Sequence, residues 1–301
     1  MAISRAQLVK ELEPGLNALF GLEYKTYQNE HAEIYEIESS ERAFEEEVML
    51  SGFGEAPVKN EGAGVAYDNA QETYTSRYTH ETIALAFSLT EEAVEDNLYD
   101  RLAARYTKAL ARSMATTKQV KGAAVLNGAF TTSVGGDGVV LCSLSHPTLS
   151  VNVANTLATA ADLSETSLEQ ALIDIAAFTD ERGLKVAVQG LKLVVPKELQ
   201  FTSDRILKST LRTSTADNDI NAIKNMGLVP EGYTVNHYLT DPDAWFVLTD
   251  APNGMKMFER VAIKTGFEGD FDTGNVRYKA RERYSFGYSD FRGIFGSPGT
   301  P

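Results

Sequence analysis

The sequence predicts an α+β protein with a mostly antiparallel sheet, drawn out along one long helix. Three observations lead there. Helix-forming residues run almost unbroken from Thr90 to Asn127. Strand-like runs gather toward the C-terminus, at 232–239, 244–249, 257–264, 268–272 and 276–288. Between 41 and 80 the chain is irregular and glycine-rich, without a core of its own. A length of 301 residues fits one large domain or two intimately joined ones, and 43% hydrophobic residues suffice for a real core.

At the N-terminus, Leu8, Leu12, Leu16 and Leu19-Phe20 recur at helical spacing, so residues 4–20 read as a short helix that Pro14-Gly15 should kink or split. Its single apolar stripe packs either on a neighbouring subunit or on its own domain. Tyr24, Tyr27, Ile34, Tyr35 and Ile37 stand among polar residues, which suggests an extended arm over 21–40. The next segment opens with Glu45-Glu46-Glu47 and passes Gly52, Gly54, Pro57, Gly62 and Gly64. Its flanks, 47–53 and 72–79, can pair as a two-stranded ribbon with a glycine-rich tip. Such a ribbon buries little of itself and needs a partner surface; the alternative is a flexible surface loop.

A strand is expected at 83–89. Thr90 can then cap a helix whose first turn holds Glu91 and Glu92, although Ala93 denies it a full capping box. Val94, Leu98, Leu102, Tyr106, Leu110 and Met114 form a stripe at four-residue spacing, and Gly122 is the main weakness. At ~1.5 Å per residue the helix reaches roughly 50 Å. Residues 128–163 read mostly as loop. A helix follows from about 163 to Arg182, stopped by Gly183, and then a buried strand over 185–196. Short helices are expected at 202–211 and 219–225, the second capped by Gly227, before the C-terminal strands.

No local motif for catalysis emerges. The sequence has no HExxH, no paired-cysteine pattern, no GxSxG and no phosphate loop. Ser143, Ser145 and His146 read as a surface turn, Gly135-Gly136-Asp137-Gly138 as another turn, and the single Cys142 as a small buried hydrophobe. Hence no catalytic residue, metal or cofactor is expected. A formal charge of -14 argues against a general nucleic-acid binder but not against a shell around nucleic acid. No run of 18 apolar residues occurs and no secretory signal is visible, so no membrane partner is expected and the chain reads as intracellular when made. Arg277, Lys279, Arg281 and Arg283 alternate along a strand and share one face. That face meets solvent or a subunit, or balances an acidic neighbour or packaged nucleic acid.

In its order of parts the chain resembles major capsid proteins of tailed phages with the HK97-type fold, especially the Mu-like major head subunit group. The resemblance rests on the arm (1–40), the extended loop (41–80), the spine helix (90–127) and the closing run from Val276-Arg277-Tyr278-Lys279 to Ser289-Asp290-Phe291-Arg292-Gly293-Ile294-Phe295. It implies a non-enzymatic shell subunit with a peripheral domain at 81–127, a mainly axial domain at 128–275 and a return to the peripheral domain at 276–301. It also implies hexamers and pentamers around double-stranded DNA contacted non-specifically, in a virion capsid made in the host cytoplasm. Separate scaffold, portal and decoration proteins are possible partners, and either a separate scaffold protein or no cleavage is expected. Inter-subunit contact candidates are Leu8, Leu12, Leu16, Glu45, Glu46, Glu47, Lys59, Arg277, Arg281 and Arg283. Lys59-Asn60 in the loop is no evidence for a lysine–asparagine crosslink. A non-viral encapsulating shell, or an enzyme with a site assembled from distant residues, are the alternatives.

Overall fold

The computed structural model describes residues 5–90, 99–212, 219–269 and 275–300, without the side chains of 5–13 and 99–102. The chain begins with α1 (Arg5–Thr26), a 3-10 turn (Glu30–Glu33), β1 (Glu36–Ser39), β2 (Phe44–Leu50), β3 (Glu72–Thr79) and β4 (Glu81–Leu89). There follow α2 (Tyr99–Asn127), α3 (Glu165–Ala176), β5 (Gly190–Val195), α4 (Gln200–Lys208) and α5 (Ala222–Met226). It closes with β6 (Tyr233–Val235), β7 (Trp245–Thr249), β8 (Met255–Gly269), β9 (Val276–Tyr288), a 3-10 turn (Phe291–Gly293) and β10 (Ile294–Ser297). One sheet has the order β1-β8-β9-β4, a second β10-β7-β5-β6, and β2 and β3 form a separate hairpin. The β1·β8 and β5·β6 pairs are parallel and the others antiparallel.

Helix α2 lies along the first sheet. Its buried line runs through Ala103, Thr107, Leu110, Met114 and Lys118 to Leu126. This departs from the expected stripe at Tyr106, which is 48% exposed, because four-residue steps drift off a 3.6-residue helix. Val94, Leu98 and the Thr90 cap's first turn lie outside the described residues, as does the Leu102 side chain. Gly122 is a packing position: a Cβ there would meet His31 Cβ at 3.2 Å and the Phe286 ring at 3.4 Å. Its carbonyl accepts from the Tyr35 hydroxyl at 2.7 Å.

Near the N-terminus the structure corrects two expectations. Pro14 does not split α1, which continues to Thr26; Pro14 and Gly15 are exposed, so the lost backbone donor faces water. Leu16 and Phe20 pack on Leu110, Met114 and Tyr278. Residues 21–40 are not one extended arm: Ile34 and Tyr35 are buried against Leu126, Met257 and Tyr284, and β1 joins the first sheet.

The second sheet builds the other core, where Trp245, Phe178, Phe291 and Phe295 pack with α3. Ser164 and Ser167 cap α3 reciprocally. The helix ends at Ala176, not near 182; Phe178 turns into the core and Gly183 (φ 88°) serves the reversal after it. Gly227 does close α5 in the left-handed region, at φ 63°. The strand expected at 257–264 and the first two residues of the one expected at 268–272 lie in one continuous β8, bent by irregularities between Glu259 and Lys264, while 270–272 lie outside the described residues. The C-terminal segment leaves β9 and crosses to the second sheet as β10, so one buried strip joins the two cores.

Candidate assembly surfaces

Strands β2 and β3 pair from Phe44 opposite Thr79 to Leu50 opposite Glu72, as the alternation suggests, with β2 beginning three residues before the expected 47. Beyond them the tip at 51–71 stands largely in the open. Val58 is 92% and Tyr67 97% exposed, and Phe53 and Val65 are also uncovered. Among the described residues the tip is tied to the body by Arg182, which donates to the Asn69 carbonyl at 2.5 Å and lies 3.7 Å from Asp68.

The hairpin's root is locked by buried polar groups. Glu47 accepts from Lys256 at 2.6 Å, and Lys256 also meets Glu38 at 2.9 Å. Burial pulls the Lys256 ammonium down, but the two carboxylates outweigh it and hold it above its ordinary value. Ser289 donates to the other Glu47 oxygen and shares a 2.5 Å hydrogen bond with the Tyr78 hydroxyl. Gly287 makes room for Tyr78, since a Cβ would lie 2.7 Å from its ring.

His80, buried at the junction of β3 and β4, forms a second lock. Its Nε2 is 2.9 Å from Ser40 Oγ and its Nδ1 3.0 Å from Ser285 Oγ. Ser40 Oγ already donates to Glu45 at 2.7 Å, so it accepts from Nε2–H, and Nδ1 accepts from Ser285. Burial, with Arg283 nearby, pushes the imidazole below its ordinary pKa.

A third polar cluster ties α1 and α2 to the sheet. Glu282 is fully buried, 2.8 Å from Lys118 of α2, and accepts from the Tyr24 hydroxyl of α1 at 3.2 Å. Burial pushes this carboxyl up, against the opposing pull of Lys118 and Tyr24. A fourth lies under the C-terminal strip: Arg292 reaches Glu181 at 3.0 Å, Asp290 at 3.1 Å and the Thr179 carbonyl at 2.7 Å. His146, expected on a surface turn, is wholly buried beside it, stacked on Phe291 and 2.6 Å from Asp137. Its partner Asn155 donates to three backbone carbonyls, of Leu141, Phe291 and Ile294. These contacts brace backbone; no nucleophile is aligned with the ring. Among the described residues, no group of three or more His, Cys, Asp or Glu is placed to hold a metal, and no helix is long and apolar enough to cross a membrane.

The model of a protein family described as phage capsid protein matches residues 72–296. The chain belongs to that family. Solved structures agree in fold. The virus-like particle from Pyrococcus furiosus aligns at TM-score 0.55 and 10% identity, over 94% of this chain and 98% of that one. The procapsid of bacteriophage JBD30 aligns at 0.54 and 14% identity, over 99% and 77%. Mycobacterium phage Che8 aligns at 0.53 and 16% identity, over 88% and 89%. No curated protein matches the chain by sequence. The fold is thus the α+β, HK97-like capsid fold, and the protein is a structural, capsid-forming one.

Within that fold the contact candidates separate. Leu16 is buried in its own subunit, while the side chains of Leu8 and Leu12 lie outside the described residues. Glu45, Glu46 and Glu47 have intrachain partners in Ser40, Arg77 (3.8 Å) and Lys256. Lys59 is exposed at the hairpin tip, Arg277 and Arg281 are exposed on β9, and Arg283 is half-buried. Lys256, His80, Glu282 and Arg292 were not singled out as locks. Apart from Asp290 beside Arg292, their partners lie far along the chain, so no local pattern marks them.

Proposed function

We propose that this chain is the major head subunit of a tailed phage, in the Mu-like major head subunit group, and that it assembles through hexamers and pentamers into an icosahedral shell around double-stranded DNA. The observation that carries this reading is a hairpin rooted by ion pairs to the buried Lys256, whose apolar tip has no cover among the described residues. A rigid root is wasted on a disordered loop but suits a clamp laid over an adjacent subunit. In this reading 1–40 is the N-terminal arm, its last residues packed into the subunit's own core and first sheet, 41–80 the extended loop and 81–127 the peripheral part with the spine helix. Residues 128–275 are mainly axial, and 276–301 return to the periphery. Synthesis is in the host cytoplasm, DNA contacts are non-specific, and scaffold, portal and decoration proteins are candidate partners. Likeness to a virus-like particle keeps a non-viral shell as the second reading; the nucleic acid content of purified particles separates the two.

The test deletes the tip, residues 54–68, and examines the product by size-exclusion chromatography and electron microscopy. A folded subunit that no longer forms stable particles is expected. Normal particles from the deleted chain would overturn the clamp.

A further inference from the structure

Helix α2 carries a charge that neither the hairpin nor the buried locks explain. Its residues, 99–127, hold six bases against the single acid Asp100, a formal +5, which leaves the rest of the chain at -19. Toward its buried end Lys118 meets Glu282 and Glu259, and Lys121 meets Glu81. The Arg101 side chain lies outside the described residues. Arg105, Lys108 and Arg112 remain, all exposed. Steps of three and four residues set them on one line along the helix. That line runs opposite the buried one through Ala103, Thr107, Leu110 and Met114. Between the cations the surface is made by Ala109 and by Tyr106, whose ring is held against Phe87 at 5.7 Å between centroids. Among the described residues one carboxylate reaches the line. It is Glu23 of α1, 3.8 Å from Lys108, which also accepts from the Tyr27 hydroxyl at 3.0 Å. A surface pair of that kind is weak and yields to a competing anion. The bases of β9 do not join this line, since they alternate with buried Tyr278, Ala280, Glu282 and Tyr284 and so face the other side of the sheet.

We propose that Arg105, Lys108 and Arg112 form a rail on α2 that seats the phosphate backbone of double-stranded DNA. This rests on the reading of the chain as a shell around DNA and names the surface that meets it. Charge and spacing identify the partner. The three cations span about 10 Å of helix axis, and a DNA strand presents one phosphate per about 3.4 Å of its own axis. A row of cations on a convex helix, with no shaped pocket between them, suits a polyanion of uniform charge density. Ala109 and the phenol of Tyr106 offer no amide, guanidinium or carboxylate to read a base edge, so the contact is with backbone and independent of sequence. The strongly acidic remainder of the chain keeps the nucleic acid from adhering elsewhere, which confines the contact to this line.

The test measures binding of the unassembled full-length subunit to a fluorescent DNA duplex of arbitrary sequence, from about 50 to 200 mM salt. Each phosphate contact adds about 0.9 to the steepness with which log affinity falls against log salt. Arg105→Gln with Arg112→Gln is therefore expected to weaken binding at low salt and to flatten that slope by roughly 2. Arg105→Lys with Arg112→Lys keeps both charges and should keep the slope. Lys185→Gln with Lys197→Gln removes the same charge from exposed positions elsewhere and should leave it unchanged. Circular dichroism and thermal melting check the fold of each variant. A wild-type subunit that binds no DNA at low salt overturns the proposal. So does a slope that the first pair leaves intact, or that the Lys185 and Lys197 pair flattens as much. Electron microscopy and the nucleic acid content of the particles separate the remaining outcomes. If wild-type particles hold DNA while Arg105→Gln/Arg112→Gln keeps the full slope, the rail is wrong and the shell reading stands; if wild-type particles hold none, that reading falls too. If the Gln pair abolishes particles yet leaves the slope intact, the line seats another copy of the chain and the proposal fails.

Discussion

Replacing Arg292 by methionine should unfold the subunit more readily than almost any other single change. Arg292 is 3% exposed and lies against Glu181, also 3% exposed, and Asp290, 8% exposed. Methionine keeps the apolar stem but leaves two buried carboxylates unpaired and the Thr179 carbonyl without its donor. Removing one partner of a buried ionic group costs about 3–5 kcal/mol. At ~2–3 °C per kcal/mol for a chain of this size, the melting temperature should fall by roughly 6–15 °C. The loss should depend on pH. Burial already pushes the Asp290 carboxyl above its ordinary value, and losing Arg292 raises it further. A carboxyl raised in the folded state binds more protons there than in the unfolded chain, so stability falls as pH rises from about 4 through the raised value. The deficit should therefore be largest near neutrality and shrink on acidification. Urea unfolding of the unassembled subunit at several pH values reads both effects. Adding Glu181→Leu and Asp290→Asn should recover most of the loss, since a well-packed apolar replacement of a buried ion pair is often neutral. A neutral-pH loss below about 1 kcal/mol, or one that grows on acidification, would refute the reasoning.

Two further outcomes follow from the same structure. His80 is held neutral in the fold, so its contribution is complete above about pH 6.5 and drains away as pH falls toward its depressed folded value. Its ring faces Glu45 from β2, Arg283 from β9 and Arg260 from β8, a surrounding that opposes a positive charge on balance. Limited proteolysis of the hairpin should accelerate between pH 7.5 and 5.5 in the native subunit and change little in His80→Gln; equal acceleration in both would exclude this group. Gly293→Ala should cost about 1–3 kcal/mol or more, because the added Cβ would press into the Gly254 backbone, which has no side chain to swing aside. A variant that melts with the parent would mean that the two segments separate easily.

Much of this fold is legible locally, because periodicity reports which residues face a core. The alternation from Val276 to Tyr288 gives β9 with its correct inward and outward faces, and the flanks of 41–80 give the hairpin. Gly227 and Cys142 also stand where their chemistry suggests. What periodicity cannot report is packing between distant segments. Ile34 and Tyr35 look like arm residues until Leu126 and Tyr284 close over them. Gly122 looks like a flaw in a helix until His31 and Phe286 arrive. Pro14 looks like a breaker, yet its missing donor costs little on an exposed helix face. The surfaces followed the same division. The alternation of bases along β9 was visible as a pattern, but the partners of Lys118, Lys256 and Arg292 come from distant segments.

The hairpin's two legs enter the first sheet at opposite edges, through β1 on one side and β4 on the other. This gives the subunit a mechanical character. A pull on the tip is shared between two ladders, Glu36–Ser39 against β8 and Glu81–Leu89 against β9. Both are loaded along their length, so many backbone hydrogen bonds must yield together instead of peeling open one after another. Ser40 and His80 stitch the legs where they enter, so that neither carries the load first. If the hairpin is the clamp proposed above, the strap fails only when the sheet that anchors it does.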